Sequence, residues 1–232
     1  MKQAVIDLII PAYNEEQSIG LVVKDIPKDW VRDILVCNNA STDRTAEVAQ
    51  ANGAIVLHQP QKGYGSACLK GIEYINQRPA HEQPDIIVFL DGDYSDHPEE
   101  LPKIVQPILK DGMDLVIGSR VLGDMERGAM MPQQIFGNWL ATNLISLFYK
   151  YEFTDLGPFR AIRYDKLVAI NMADPDFGWT VEMQVKAAKH KLKCTEVPVS
   201  YRRRVGVSKV SGTIRGTILA GHKILWTIFK LL

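Results

Sequence analysis

Ile86-Ile87-Val88-Phe89-Leu90-Asp91-Gly92-Asp93 is the stretch whose reading decides the fold. Five apolar residues, four of them strong strand formers, run without a break into two carboxylates with one glycine between them. Such a run marks a strand buried on both faces, as in a parallel sheet. In open α/β sheets, ligands gather outside the carboxyl ends of the strands. Asp91 and Asp93 therefore stand where a divalent cation with oxygen ligands would sit. The competing reading is a solvated Asp-Gly turn after a strand.

Outward from this stretch the pattern alternates. Apolar, strand-like runs occupy 4–10, 33–37, 54–57 and 114–118, and helical segments are expected over 15–25, up to about 52, 62–77 and 99–110. Strand, helix, strand at these spacings means βαβ units and a doubly wound, mostly parallel sheet with helices on both faces. Past Arg120 the pattern changes. Residues 122–132 show no period and read as a loop, 135–149 as an apolar helix, 154–163 as an alternating strand, 179–189 as a helix and 195–203 as a last strand. The expectation is one domain over 1–211 and a C-terminal amphipathic helix over 212–232.

Net charge is zero, but it is unevenly placed. From Tyr201 onward there is no acid and there are seven basic residues, so the first 200 residues carry −7. A basic end on an acidic body calls for an anionic partner at that end. Nucleic acid is not expected, because the rest of the chain offers no broad basic face. Cys37, Cys68 and Cys194 have no metal-type spacing and read as reduced, packed thiols. No leader peptide is visible and no run of 18 uncharged apolar residues occurs, so a cytoplasmic protein is expected. The terminal helix, read over 218–232, carries Trp226 and lysines; it either lies in a membrane interface, which would make the protein peripheral, or docks on the sheet.

Several chemistries are disfavoured. The first loop holds Pro11-Ala12-Tyr13-Asn14-Glu15 where a dinucleotide fingerprint needs glycines, and no P-loop occurs. Asp91 to Ser95 also loosely fits the nucleophile loop of haloacid-dehalogenase-like phosphatases, but four strands precede it and no later acidic pair follows. Lys62-Gly63-Tyr64-Gly65 opens a helix and is either an anion contact or a tight turn. Glu182 is either a favourable charge at a helix start or a substrate contact. The five histidines have no partners at ligand spacing. Tyr201-Arg202-Arg203-Arg204-Val205-Gly206-Val207-Ser208-Lys209 crowds donors suited to phosphate into a small space.

Taken together, Pro11 to Glu15, Asn38-Asn39-Ala40-Ser41-Thr42-Asp43 and Asp91-Gly92-Asp93 resemble the GT-A fold of family 2 inverting glycosyltransferases. Gly118-Ser119-Arg120, Asp155-Leu156-Gly157-Pro158-Phe159-Arg160 and the Arg204 to Lys209 segment are similar to the dolichyl- or polyprenyl-phosphate mannosyl- and glucosyltransferase branch. The resemblance implies a nucleotide-sugar site made by Pro11, Tyr13, Glu15, Asn39, Asp43, Lys62, Asp91, Gly92, Asp93 and Arg120. It implies Mg²⁺ or Mn²⁺ on Asp91 and Asp93, with Ser95 where some members have a metal-contacting Gln. Arg127, Arg204, Ser208 and Lys209 would meet acceptor or donor phosphates, and Asp93, Arg120, Asp155 and Arg204 would serve the chemistry. One departure is Asn38-Asn39 where members often have Asp-Asp, which leaves base identity open; residues 178–183 and 125–129 favour UDP. The implied acceptor is a lipid phosphate. That acceptor is already ionised and needs no general base, whereas a hydroxyl acceptor would need one, with Asp155 in that role. A non-catalytic nucleotide-sugar-binding protein is the remaining alternative.

Overall fold

The computed structural model describes residues 4–206 and 214–232. Strands β1 (Ile6–Ala12), β2 (Asp33–Asn38), β3 (Ile55–His58), β4 (Ile86–Phe89), β5 (Leu115–Ser119), β6 (Arg160–Arg163) and β7 (Cys194–Pro198) form one seven-stranded sheet. Between and after them run α1 (Ile19–Asp25), α2 (Thr45–Ala51), α3 (Tyr64–Asn76), α4 (Leu101–Asp111), α5 (Pro132–Tyr149), α6 (Tyr164–Ile170), α7 (Trp179–Lys189) and α8 (Ile214–Lys230). The strand order is β3-β2-β1-β4-β6-β5-β7, which puts the 86–90 run at the centre. All pairs are parallel except those of β6, which runs antiparallel between β4 and β5.

Alternate strand residues feed two apolar layers. Ile9, Leu35, Phe89 and Ile117 pack against α3, α5, α6, α7 and the Ile228 turn of α8. Leu8, Ile10, Val36, Val88 and Val116 pack against α1, α2 and α4. Burial of each such side chain contributes about 1.5–3 kcal/mol, so both faces of β4 are held and its carboxyl end is rigidly placed. This is the two-faced, mostly parallel sheet that the spacing predicts.

The differences have local causes. α1 starts at Ile19 rather than Glu15, because Asn14 takes φ 54° and the Glu15 amide donates to Thr45 Oγ1 at 2.7 Å. The alternating segment 154–163 yields a strand only over its last four residues. Its first half is a loop whose amides bond side chains instead: Thr154 and Asp155 donate to Glu196, and Leu156 donates to Asn138. Helix α6, which no cap or turn residue announces, follows β6 without a loop. β7 ends at Pro198, four residues into the stretch read as 195–203, and beyond it Tyr201 forms isolated bridges to Asp96 and Met125.

Of the two expectations for the terminal helix, docking is the one observed. It docks: Ile228 and Thr227 are buried, Lys223 pairs with Asp174 at 3.0 Å, and Tyr149 donates to the Ile228 carbonyl at 2.5 Å. Lys223 and Thr227 therefore face the protein, while Lys230, Leu219, Trp226, Phe229 and Leu232 are exposed. On neighbouring α5, Ile135, Phe136, Trp139 and Leu147 are exposed as well, and α5 carries no charged residue. No helix among the described residues is long and apolar enough to cross a membrane.

Candidate active site

The loop after β4 builds the centre of the site. Gly92 lies against the Pro11 carbonyl, which a Cβ would meet at 3.3 Å, so the ends of β1 and β4 close on each other. Asp91 accepts a hydrogen bond from the Tyr64 hydroxyl at 2.9 Å. Asp93 accepts from the Ser95 amide at 2.9 Å and the Ser95 hydroxyl at 2.5 Å. Its other carboxylate oxygen pairs with Arg204 at 2.7 Å, and its carbonyl accepts from Val205 N–H at 3.0 Å. The basic segment thus returns to the acidic loop. Arg202 fastens it there, stacked on the Tyr94 ring at 3.5 Å and donating to the Tyr94 and Asp96 carbonyls.

Burial and the neighbouring Asp93 push the Asp91 carboxyl up to about 6, against smaller opposing effects of Tyr64, Arg204 and Arg120. Asp91 binds a proton in the folded protein at a pH where the unfolded chain has already lost it. The metal-free protein should therefore lose stability as pH rises from about 4 through about 6. A cation requires the ionised carboxylate, so the sign reverses for binding. Apparent Mn²⁺ affinity should fall as pH drops below about 6, as read by Mn²⁺ titrations at pH 7 and pH 5. An affinity independent of pH across that range would exclude Asp91 as a ligand.

Tyr64 was not singled out by the sequence reading. Lys62-Gly63-Tyr64-Gly65 places it by close packing: a Cβ on Gly63 would sit 2.2 Å from the Pro175 carbonyl and one on Gly65 1.9 Å from the Asp174 carbonyl. Both glycines let the first turn of α3 press onto backbone 174–175, and Ser66 N–H donates to Pro175 at 2.8 Å. The aromatic between two glycines was the available signal. Glu182 has a positioning part in this contact, accepting from the amides of Ala173 and Asp174.

The first-loop residues gather around the ends of β1 and β2. Pro11 is buried in β1. Tyr13 lies under Lys62, whose ammonium is 3.0 Å from its hydroxyl. Glu15 is nearly buried, accepts from Ser18 Oγ, and lies within the field of Arg204. Asn39 bridges outward: its Oδ1 accepts from Gly63 N–H at 2.8 Å and its amide donates to the Gln61 carbonyl at 2.7 Å. Asp43 accepts from the Thr45 and Glu16 amides. It braces the start of α2 against the first loop.

Arg120 and Asp155 form a closed unit. Asp155 is fully buried and receives three hydrogen bonds from Arg120, through its backbone N–H, Nε and NH2, at 2.7–2.8 Å. The Asp155 amide is held by Glu196 and its carbonyl by Gln184. Arg120 also lies over the Tyr201 ring at 5.0 Å. Arg160, another residue to which the sequence reading gave no role, is fully buried and donates to the carbonyls of Leu156, Gly157 and Thr180. Burial pushes its guanidinium down to about 10. It pins the loop that carries Asp155 to the start of α7. Arg127 is exposed on the loop before α5, where its carbonyl accepts from Arg203. Ser208 and Lys209 lie outside the described residues.

Asp91, Asp93 and the Ser95 hydroxyl are hard oxygen donors suited to Mg²⁺ or Mn²⁺. No group of three His, Cys, Asp or Glu side chains is arranged as a cage among the described residues. A small divalent ion needs none; it commonly rests on one or two carboxylates and completes its shell with water and substrate phosphate.

The family model described as Glycosyl transferase family 2 matches residues 7–169. An undecaprenyl-phosphate mannosyltransferase of Micrococcus luteus is 32% identical over 223 residues, 90% of this chain and 88% of that protein. A dolichyl-phosphate hexose transferase of Haloferax volcanii is 31% identical over 207 residues, 88% of this chain and 85% of that protein. Among solved structures, glucosyl-3-phosphoglycerate synthase of Mycobacterium tuberculosis, crystallised with Mn²⁺, UDP and phosphoglyceric acid, superposes with a TM-score of 0.77 at 22% identity. The match covers 98% of this chain and 78% of that one.

Proposed function

The chain belongs to glycosyl transferase family 2, a glycosyltransferase of GT-A architecture, and from that premise we propose that it moves a hexose from a nucleoside-diphosphate sugar to a polyprenyl or dolichyl phosphate. The donor is a UDP-sugar, and Mg²⁺ or Mn²⁺ rests on Asp91 and Asp93. The observation that carries this reading is the return of the basic segment to the acidic loop, with Arg204 2.7 Å from Asp93. Two anions have to meet at the reacting carbon, the diphosphate that leaves and the phosphate that attacks. The acid-free end of the chain brings positive charge to that point. The names of the relatives from Micrococcus luteus and Haloferax volcanii support the same acceptor class.

The bound cation would supply charge neutralisation of the leaving diphosphate. The residues do the rest. Asp91 and Asp93 would hold the cation, Tyr64 fixes Asp91, and Arg204, paired with Asp93, would meet a phosphate oxygen beside it. Arg120 sets a fixed positive charge beside them. Asp155 has both oxygens occupied by Arg120, which disfavours it as a general base, and an ionised phosphate nucleophile requires none. Tyr13, Glu15 and the bridge made by Asn39 line the base end. The outward apolar residues of α5 and α8, with three lysines and arginines and no acid in α8, suit a protein that rests on the membrane holding its acceptor.

The test is a panel of UDP- and GDP-hexoses. A UDP-hexose with Mn²⁺ should raise Tm where GDP-hexoses do not, and the stabilising sugar should then appear on a polyprenyl phosphate. Stabilisation by GDP-sugars alone would overturn the donor, and transfer only to free hydroxyls would overturn the acceptor.

A further inference from the structure

Residues 174 and 175 join the terminal helix to the turn that holds Asp91. On the helix side, the Asp174 carboxylate pairs with Lys223 at 3.0 Å and accepts from the Thr227 hydroxyl at 3.4 Å. Its other oxygen accepts from the Asp176 amide at 2.8 Å, which fixes the direction of the carboxylate. Gly178 lets α8 come close: a Cβ there would lie 2.4 Å from Thr227 Oγ1 and 2.5 Å from Asp174 Oδ2. On the other side, the Pro175 carbonyl accepts from the Ser66 amide at 2.8 Å and from the Ser66 hydroxyl at 3.1 Å. Gly63 and Gly65 bring the first turn of α3 against the carbonyls of Pro175 and Asp174. Between those two glycines stands Tyr64, which donates to Asp91.

Little in this junction can give. The contacts on α3 are made by backbone, and close-packed interiors transmit a displacement rather than absorb it. A shift of residues 174–175 therefore carries the first turn of α3, and the Tyr64 hydroxyl with it. A hydrogen bond made at 2.9 Å is lost on a displacement of about 1 Å. Holding α8 to the body does not require the Lys223 pair. Ile228 is fully buried and its carbonyl accepts from Tyr149, whereas an ion pair with a lysine side chain 30% exposed contributes little stability. What the pair does is fix where α8 sits against Asp174.

We infer that α8 is a positioning element of the donor site: Lys223, through Asp174 and Pro175, sets the first turn of α3 and so the Tyr64 hydroxyl that holds Asp91. Lys223 is a positioning residue, acting at the site only through these contacts. The inference rests on the proposed cation and donor site at Asp91 and Asp93.

Calorimetric titration of the full chain with UDP, and with GDP, in excess Mn²⁺ tests it. Lys223→Met should weaken nucleotide binding about three- to tenfold, and Lys223→Arg, which keeps the charge, should restore most of the loss. Ser66→Ala loosens the same junction from the α3 side; it should act in the same direction, and it carries the test if Lys223→Met does not fold. The decisive readout is a double-mutant cycle with Tyr64→Phe. Once the hydroxyl is gone, Lys223→Met or Ser66→Ala should weaken binding by less than about twofold more. Losses that multiply instead overturn the inference, because they belong to a helix that stabilises the fold without acting through Tyr64. Wild-type affinity in both Lys223→Met and Ser66→Ala also overturns it and leaves the donor site intact. A wild type that binds neither nucleotide overturns the donor site itself, and the inference with it.

Discussion

Asp93→Asn is expected to lower transfer by about three orders of magnitude or more, with the fold retained. The asparagine keeps an oxygen in place for the Ser95 amide and hydroxyl, which now bond Asp93 Oδ1. The main-chain bond from Val205 to the residue 93 carbonyl is independent of the side chain. What is lost is charge: one carboxylate of the cation seat and the partner of Arg204. Metal stabilisation of a leaving group contributes several kcal/mol to a transition state, and about 4 kcal/mol is a thousandfold in rate. The Arg204 pair is partly exposed and contributes little to stability, so Tm should change by no more than a few degrees. Initial rates at graded Mn²⁺, with Tm measured on the same samples, check this. Turnover near the wild-type value at saturating Mn²⁺ would remove Asp93 from the chemistry.

What the sequence makes legible follows from how local each feature is. β4 and its two acids lie on one continuous stretch, and an apolar run ending in charge needs no other part of the chain to be understood. The same holds for β1, β2, β3 and β5, whose runs are bounded by Pro, Asn or Gly. Where the outcome depends on a distant partner, local pattern is insufficient. Residues 154–159 alternate like a strand, but Glu196 and Asn138 take their amides, and the segment becomes a loop. Tyr64 gains its role from the backbone at 174–175, more than a hundred residues away in sequence. Arg120 and Asp155 both stand in motifs of the resemblance, yet nothing in their 35-residue separation says that each holds the other. The terminal helix is a similar case. Which way it turns is settled by Asp174, which supplies a partner for Lys223 and Thr227 from about fifty residues away in sequence.

That pairing changes what Asp155→Asn can report. Asp155 has no exposure and Arg120 is nearly buried, so removing one charge leaves the other uncompensated. Breaking such a pair costs about 3–5 kcal/mol. For a domain of this size each kcal/mol lowers Tm by about 2–4 °C, so a fall on the order of 10 °C is expected. A loss of activity measured without Tm would therefore mix unfolding with chemistry. The variant Arg120→Gln with Asp155→Asn removes both charges and should recover part of the stability, with a coupling of about 1–3 kcal/mol, while losing the fixed positive charge beside the diphosphate. If the acceptor is a phosphate, Asp155→Asn should keep turnover per folded molecule within about tenfold of the wild type, short of the roughly 10²–10⁴-fold dependence a general base carries, and the pH–rate profile should keep its shape. If Asp155 removes a proton from a hydroxyl acceptor, turnover per folded molecule should collapse and the acidic limb of the profile should disappear with it. The Arg120 contacts favour the first outcome, because both Asp155 oxygens already accept hydrogen bonds from the Arg120 guanidinium.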